Sequence, residues 1–332
     1  PAELLKKGKS GEIKKAFWKA ESFHRSDVLH LSQMWSDFEN EDNNVKIPFP
    51  SSWYTLNEMM AGGMELGEIS IFGAPTSIGK TSLLNNIIYN LIENTELKVG
   101  VMMLESTKRE TVRDMLGLDM GQNLRKIDRS QFDMEGAKKR FFNNLAQKNQ
   151  FVFVDHQGSI STEGIFDKFN YLAKAEDCQV IVLDTIQTAV NSSDNSAIIE
   201  FMDNLLKFAK QTNTCIIAVS HTKKPNSDNP HDVSEYDLLG SSSLNQISFN
   251  TIIASRDKMS DDPKIRNTTK LQLVKCRRTG ETGHAGFLRF DNETTHMYAT
   301  TDPYEDEEEM DDYEALNNFG DRDSEELKPE DF

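Results

Sequence analysis

The chain has 332 residues, and its 37 Lys and Arg against 54 Asp and Glu give a formal net charge of −17. Fifteen acidic and two basic residues lie from Asp302 to Phe332, which leaves −4 for residues 1–301. This charge map excludes a globally basic nucleic-acid coat, a basic membrane-surface helix and an all-acidic disordered chain. No apolar run approaches the roughly 18 residues of a membrane helix. We therefore expect a soluble, intracellular protein without a membrane segment.

The first 47 residues are predicted to form an arm. Apolar residues recur at helical spacing from Ile13 to Phe23 and again from Val28 to Phe38. This spacing predicts two short amphipathic helices. Their apolar faces pack either on their own domain or on a neighbouring subunit.

Strand-like runs alternate with helical runs after Pro50, a pattern that favours a mostly parallel sheet covered by helices. The predicted strands are 68–72, 98–104, 151–154, 180–183, 215–219, 251–255 and 271–275. The predicted helices include 81–93, 109–117, 161–176 and 197–211. We therefore predict one α/β domain over residues 48–301, followed by a disordered acidic tail over residues 302–332.

A glycine-containing loop follows the first strand of this domain, and Gly79, Lys80 and Thr81 then open a helix. Phosphate binding needs this arrangement: loop amides and the helix N-terminus face the anion, the lysine neutralises β and γ oxygens, and the threonine hydroxyl ligates Mg²⁺. The strict pattern begins with Gly, where this chain has Ala74. The predicted nucleotide-binding residues are Ala74, Pro75, Thr76, Ser77, Ile78, Gly79, Lys80, Thr81 and Ser82.

Carboxylates follow three of the predicted strands. Asp155 and Asp184 each end an apolar run, so both are candidates for the Mg²⁺ shell. We favour Asp184 because the next strand follows it after a single helix and ends in polar residues. Glu105 ends the strand after the P-loop helix, where parallel topology brings it to the same edge of the sheet. It either polarises the attacking water or caps the next helix.

Two further polar groups end late strands. His221 follows an apolar strand beside the predicted phosphate site, so it is either a phosphate sensor or a structural histidine. Lys275, Arg277 and Arg278 form a basic run after the last predicted strand. An arginine in this run either reaches the γ-phosphate in another subunit or lies in a solvated turn.

Taken in order, these motifs resemble those of the hexameric RecA-type replicative DNA helicases. They are most similar to the helicase half of bacteriophage primase-helicases, and more distantly to DnaB-like and Twinkle helicases. The resemblance covers roughly residues 50–300 and depends on the following segments: Gly67-Glu68, Ile78-Gly79-Lys80-Thr81, Met103-Leu104-Glu105, Ile181-Val182-Leu183-Asp184, Val219-Ser220-His221, Asp237-Leu238, Gly240-Ser241 to Gln246, Lys275-Cys276-Arg277 and Thr279 to Gly283.

The resemblance implies a RecA-like core and a role for each matching residue. Lys80 would bind phosphate, Thr81 and Asp184 the metal, and Glu105 would be the catalytic base, while His221 would link the γ-phosphate to DNA. At the nucleotide, the implied residues are Gln246, Lys275, the arginine finger Arg277 given to a neighbouring subunit, and the base-sandwiching pair Arg256 and Phe290.

DNA contacts are implied for two loops of a central channel. The implied residues are Lys223, Lys224 and Asn226 in the first loop and Gly240, Ser241 and Asn245 in the second. Relatives have an arginine where this chain has Leu239, and a basic residue where it has Asn245. Either backbone amides of Gly240 and Ser241 hold the phosphate, or this protein grips DNA with less charge.

The implied function is 5′ to 3′ unwinding of DNA by a hexameric or heptameric ring, with ATP or dTTP as substrate and Mg²⁺ as cofactor. Implied partners are single-stranded DNA at a replication fork, an upstream primase segment and a replicative polymerase. Residues 26–40 resemble the linker helix that docks on the adjacent subunit. The acidic tail ending in Phe332 resembles the polymerase-binding tails of phage helicases, or is a solubilising end. We accordingly expect a phage protein in the cytoplasm of an infected bacterium.

Other functions use the same core. A RecA-like recombinase, a clock-type ATPase, and a non-unwinding adaptor or loader are the alternatives. Forked-duplex unwinding separates the helicase from the first two, and DNA-stimulated hydrolysis separates it from the last.

Overall fold

The protein is described from a computed structural model, which covers residues 30–39, 45–76, 78–156, 160–190, 195–222, 237 and 241–304. The chain divides into two units, Pro1–Asn44 and Val45–Phe332. In the first unit, helix α1 (Leu31–Glu39) exposes Leu31, Met34 and Trp35, three of the apolar residues that predicted it. The predicted helix from Ile13 to Phe23 and the acidic residues 305–332 lie outside the described residues.

The second unit combines a small two-stranded sheet with a large one. The small sheet pairs β1 (Lys46–Ile47) with β2 (Met64–Glu65), and helix α2 (Tyr54–Met59) lies between them in sequence. The large sheet contains β3 (Ile69–Ala74), β4 (Val99–Met103), β5 (Phe151–Phe153), β6 (Val180–Asp184), β7 (Cys215–His221), β8 (Asn250–Ser255), β9 (Thr268–Cys276), β10 (Gly283–Phe290) and β11 (Met297–Thr300). The remaining helices are α3 (Lys80–Asn94), α4 (Lys108–Met120), α5 (Met134–Asn144), α6 (Thr162–Lys174), α7 (Ile186–Val190), α8 (Asn195–Thr212), α9 (Ser241–Ile247) and α10 (Pro263–Arg266).

The large sheet has the strand order β11-β10-β9-β8-β3-β7-β6-β4-β5. Strands β8, β3, β7, β6, β4 and β5 run parallel, and β9, β10 and β11 complete the sheet with antiparallel pairings. Because parallel strands share a direction, the residues that follow them meet at one edge of the sheet. The segments after β3, β4, β6 and β7 therefore lie side by side.

Two apolar clusters cover the two faces of this sheet. Successive residues of a strand point to opposite faces. Accordingly, Ile69 and Ile71 of β3 enter one cluster with α6 and α8, while Phe72 and Ala74 enter the other with α3. All six residues of β3 are buried. A strand buried on both faces reads as a continuous apolar run, which is why β3 was predictable.

The prediction of an α/β fold with a mostly parallel sheet is confirmed. The seven predicted strands and four predicted helices are all present, with ends shifted by at most three residues. The hairpin of β10 and β11 was not predicted, because β10 contains Gly283 and Gly286 at positive φ and an irregular register that breaks the alternation. Helix α5 was also missed, since Ala137 is its one buried residue. Among the described residues, no helix is long and apolar enough to cross a membrane.

Candidate nucleotide-binding site

The loop between β3 and α3 places Lys80 and Thr81 at the carboxyl edge of the sheet. Gly79 precedes the helix with φ of 97°, a conformation that favours glycine over residues with a side chain. The Lys80 ammonium donates hydrogen bonds to the carbonyl oxygens of Ala74 (3.4 Å) and Pro75 (3.2 Å). The loop therefore closes around the lysine. Ser77 of the predicted motif lies outside the described residues.

His221 ends β7 beside this loop, since Ala74 and His221 are partners in the β3–β7 register. The Nζ of Lys80 lies 2.7 Å from Nδ1 of His221. Burial lowers the pKa of both side chains, and the lysine charge further lowers the pKa of His221. A neutral imidazole can accept the lysine hydrogen bond at Nδ1. The predicted phosphate ligand and the predicted phosphate sensor are therefore in direct contact.

Asp184 ends β6 and is only 2% exposed. The Thr81 hydroxyl donates to its Oδ2 at 3.5 Å, while Oδ1 has no hydrogen-bond partner among the described residues. Burial and the charge of Glu105 raise the pKa of Asp184 to about 6, against the opposing effect of Lys80. A buried carboxylate with an unused oxygen, beside a threonine hydroxyl, fits the oxygen coordination that Mg²⁺ prefers.

Asp155, the other candidate for the Mg²⁺ shell, lies far from the P-loop. It follows β5 at the outer edge of the sheet, four strand positions from β3. At a spacing of about 4.8 Å per strand, this separates it from the P-loop strand by about 19 Å. Asp155 instead forms an exposed ion pair with Lys108. The geometry therefore favours Asp184 as the carboxylate near Thr81.

Glu105 follows β4, and its side chain is 49% exposed. Its Oε1 accepts a hydrogen bond from the Thr188 hydroxyl at 3.1 Å and lies 3.7 Å from Nε2 of His221. Lys80, His221 and Glu105 thus form a continuous polar row. This position is open enough for a water molecule to reach the carboxylate, as a catalytic base requires.

Sequence reasoning missed two residues of the short helix α7, Gln187 and Thr188. The Gln187 amide donates to the Ser220 hydroxyl at 2.8 Å and accepts from the backbone N–H of His221 at 3.0 Å. Thr188 holds Glu105, as described above. The available signal was a pair of polar residues placed directly after the strand ending in Asp184. Together they tie the ends of β4, β6 and β7.

A cavity of about 350 Å³ opens beside Thr81, Ser82 and Glu105, and Phe290 forms part of its wall. Small-molecule sites in proteins have volumes of this order. The Nη1 of Arg256 lies 4.0 Å from the position that a Cβ would occupy on Gly79. Both residues of the predicted base sandwich are therefore next to the P-loop region, and the sandwich itself stays a prediction.

Arg277 lies at the opposite edge of the sheet from Lys80. Cys276 pairs with Asn250 at the start of β8, and Asn250 pairs with Ser70 near the start of β3. The P-loop begins after Ala74, four residues further along β3. At about 3.3 Å per residue, β3 alone separates the two groups by about 13 Å. The fold does not bring the predicted arginine finger to the P-loop of its own chain.

Four predicted site residues meet at the C-terminal end of α9: Asn245 and Gln246 in the helix, and Lys275 and Arg277 in contact with it. The Arg277 guanidinium lies 5.1 Å from the centre of the Phe249 ring, and its Nη2 donates to the Gln246 carbonyl. The Lys275 ammonium donates to the carbonyls of Asn245 and Gln246. Burial, with a contribution from Arg277, lowers the pKa of Lys275 to about 8.

The predicted DNA-contacting residues are mostly outside the described part of the chain. This holds for Lys223, Lys224, Asn226 and Gly240. Ser241 is the first residue of α9, and Asn245 lies near the end of that helix. The structure therefore places Ser241, from the second predicted channel motif, at the start of a helix whose other end contacts Lys275 and Arg277.

A P-loop, two carboxylates and a histidine at the carboxyl edge of a mostly parallel sheet define a P-loop NTPase of RecA-like fold. The family described as DnaB-like helicase C terminal domain matches residues 49–299. The chain belongs to this family. The predicted resemblance to replicative helicases is thereby confirmed.

Individual relatives agree with this assignment. The DNA helicase/primase of Enterobacteria phage T3 is 29% identical over 249 residues, which are 72% of this chain and 43% of that protein. The replicative DNA helicase DnaB of Geobacillus stearothermophilus is 24% identical over 176 residues, which are 52% of this chain and 39% of that protein. The chain therefore spans less than half the length of these relatives.

Two solved structures share the fold. One, described as an ATPase domain, superposes with a TM-score of 0.66 at 20% identity, covering 82% of this chain and 97% of that one. A DnaB-like replicative helicase, solved in a study of its interactions with primase, also gives a TM-score of 0.66 at 20% identity, covering 90% of this chain and 74% of that one.

Proposed function

We propose that the protein is an NTP-hydrolysing replicative DNA helicase that works as a ring with hydrolytic sites shared between neighbouring subunits. The observation that carries this proposal is the position of Arg277, across the sheet from Lys80. An arginine that stabilises phosphoryl-transfer charge must reach the γ-phosphate. Arg277 therefore serves the nucleotide of another subunit, and an isolated monomer hydrolyses poorly.

Within one subunit, each polar group at the carboxyl edge of the sheet has a separate role in hydrolysis. Lys80 binds the β- and γ-phosphates, and Glu105 takes the proton of the attacking water. A bound Mg²⁺ would be held by Thr81 and Asp184 and would neutralise phosphate charge. His221, between Lys80 and Glu105, responds to the γ-phosphate.

The nucleotide is ATP or dTTP. Arg256 and Phe290 contact its base. Support for this comes from the position of Arg256 beside Gly79 and of Phe290 in the wall of the cavity next to Thr81. Gln246 and Lys275 act with Arg277 at the neighbouring site.

Single-stranded DNA passes through the centre of the ring, and the ring translocates along it in the 5′ to 3′ direction. Thr222 alone separates His221 from Lys223, the first of the DNA-contacting residues Lys223, Lys224 and Asn226, so a change at the γ-phosphate reaches the first DNA loop through one residue. Gly240, Ser241 and Asn245 form the second contact. Lysine–phosphate pairs supply affinity without sequence preference.

Further partners contact the protein outside this site. The exposed apolar face of α1 docks on an adjacent subunit and helps to close a ring of six or seven. The acidic residues 302–332 bind a replicative polymerase, and a primase acts together with the helicase. The protein works in the cytoplasm of an infected bacterium.

Unwinding of a forked duplex with a 5′ single-stranded tail tests the proposal. We expect strand separation that requires NTP, Mg²⁺ and the 5′ tail. Glu105→Gln should retain DNA binding and lose unwinding. Filament formation on DNA without unwinding would instead indicate a recombinase, and hydrolysis that DNA does not stimulate would indicate an adaptor or loader.

A further inference from the structure

Arg278, the neighbour of Arg277, is anchored in the turn that joins α2 to β2. Its Nη1 forms an ion pair with Glu65, and its Nη2 donates to the carbonyl oxygens of Met60 (2.7 Å) and Gly63. The side chain is 21% exposed. One guanidinium thus joins the turn after β9 to three points of a segment that lies more than 200 residues earlier in the chain.

The turn between α2 and β2, which Arg278 contacts, has a conformation fixed by its own contacts. Gly63 has φ of 118°, and a Cβ at this position would lie 2.3 Å from the carbonyl oxygen of Ile47, so no other residue fits without movement. Glu65 also pairs with Lys46 across the β1–β2 ladder. Burial alone would raise the pKa of Glu65, but the bonds and charges of Lys46 and Arg278 hold it below its usual value. The carboxylate is therefore charged at neutral pH.

A second contact joins the same two segments. The Thr279 hydroxyl donates to the carbonyl oxygen of Met59 at 2.9 Å, and the turn closes with a hydrogen bond from Gly280 N–H to the Cys276 carbonyl at 2.9 Å. Arg277 is exposed between these anchored residues. Its backbone N–H also donates to the Phe249 carbonyl at 3.0 Å. The backbone that carries the exposed arginine is thus held on both sides.

We propose that Arg278 is a positioning residue for Arg277: it fixes the turn after β9 on the turn before β2, so that Arg277 projects towards the nucleotide of the neighbouring subunit. This inference rests on the proposed shared site. Consecutive Cα atoms are about 3.8 Å apart, so a shift of Arg278 moves Arg277 with it. Only a planar guanidinium satisfies the carboxylate and both carbonyls together, which a lysine ammonium does not reproduce.

Steady-state hydrolysis in the presence of single-stranded DNA gives the first measurement. Arg278→Ala should lower kcat about a hundredfold, because a catalytic group displaced by about 1 Å loses that much. The KM for nucleotide should stay unchanged, since the nucleotide is bound by Lys80 and Ser82 at the opposite edge. Arg278→Lys and Glu65→Gln should lower kcat by less. Arg140→Ala, which removes an exposed arginine from α5, is the matched control and should hydrolyse like the wild type.

Mixed rings separate positioning from a general folding defect. In a ring of Arg278→Ala and Glu105→Gln subunits, each Glu105→Gln subunit offers a correctly placed Arg277 to the intact Lys80 and Glu105 of its Arg278→Ala neighbour. Hydrolysis should therefore recover above that of either variant alone. If the mixed rings stay as inactive as the separate variants, the positioning role is wrong. Should Arg278→Ala fail to fold in thermal unfolding, Arg278→Lys and Glu65→Gln carry the same test.

Measuring Arg277→Ala in parallel separates a failure of the shared site from a failure of the positioning role of Arg278. If Arg277→Ala rings hydrolyse like the wild type, the shared site fails, and the role of Arg278 fails with it. If Arg277→Ala is impaired and recovers in mixed rings while Arg278→Ala, Arg278→Lys and Glu65→Gln all match the wild type, the shared site stands and the role of Arg278 alone is overturned.

Discussion

Asp184 shows how a buried carboxylate affects the stability of the chain that carries it. Its folded-state pKa of about 6 exceeds the value of about 3.9 for an unfolded aspartate. The folded state therefore binds a proton more tightly than the unfolded state. This contribution to stability is complete at low pH and is lost as the pH rises through about 6.

We therefore expect Asp184→Asn to raise the free energy of unfolding by about 2–3 kcal/mol at pH 8 without Mg²⁺. The gain should shrink as the pH falls below about 6, while hydrolysis is lost at every pH. Urea unfolding at pH 8 and pH 5 measures both values. Asp155→Asn is the control, because it breaks only an exposed ion pair with Lys108, worth less than about 1 kcal/mol. An equal gain for Asp184→Asn at both pH values would contradict the assignment.

The Thr188 hydroxyl orients Glu105 through one hydrogen bond of 3.1 Å. Thr188→Val removes this bond and keeps the shape of the side chain. We expect kcat to fall about tenfold, the equivalent of about 1.4 kcal/mol, with nucleotide affinity unchanged. Thr188→Ser retains the hydroxyl and should keep most of the activity. Equal rates for the Val and Ser variants would show that the hydrogen bond has no part in hydrolysis.

Individual residues differ in how far the sequence identifies them. Lys80 and Thr81 are recognisable because a phosphate loop needs a short contiguous pattern. Gln187 and Thr188 are not, because their partners Ser220 and Glu105 are 33 and 83 residues away. Their role depends on which strands become neighbours, and spacing along the chain does not contain that information.

Helix α1 tests the docking proposal at the scale of an element. It exposes 52% of Trp35 and 49% of Met34 within nine residues. Trp35→Glu should reduce ring assembly at micromolar concentration, because it places a charge on the apolar face. Light scattering coupled to size exclusion measures the mass distribution. Ser32→Glu adds the same charge at an exposed polar position, and ring loss in this variant as well would argue against a specific apolar contact.

The strands also differ in how well the sequence predicts them. The parallel strands β3, β6 and β7 are buried on both faces, so each appears as an uninterrupted apolar run. Strand β10 mixes buried, intermediate and exposed residues without regular alternation and includes two glycines at positive φ. Such a strand is specified by its partner β9 more than by its own composition. For that reason the sequence pattern does not predict the hairpin of β10 and β11.

The shared site can be tested on the whole assembly by mixing Glu105→Gln and Arg277→Ala subunits. Each variant alone should hydrolyse slowly. In an equal random mixture, about one quarter of the head-to-tail interfaces combine an intact Glu105 with an intact Arg277. Hydrolysis should rise accordingly. Activity equal to the mean of the two separate variants would mean that each subunit contains its own complete site.

The acidic tail gives a second prediction for the whole molecule. Deleting residues 304–332 removes most of a segment whose net charge is −13 from Asp302 onwards. Polymerase binding should weaken at low salt, where exposed charges are least screened, and DNA-dependent hydrolysis should remain. Phe332→Ala should weaken binding in the same direction. Binding measured at several salt concentrations tests this, and unchanged affinity of the deletion variant would refute a role in recruitment.

The placement of Lys80 and Arg277 at opposite edges of one sheet also determines which symmetries can support hydrolysis. An isologous dimer joins the P-loop edge of each subunit to the Arg277 edge of the other only where both edges lie in one self-complementary patch, whereas a heterologous contact uses them as two separate surfaces. In the proposed ring the contact is heterologous, and its repetition gives a directional chain. An open chain always ends in one P-loop without a donor, whereas closure removes that defect and makes every site equivalent. In the proposed ring, closure therefore completes every hydrolytic site as well as encircling a polymer.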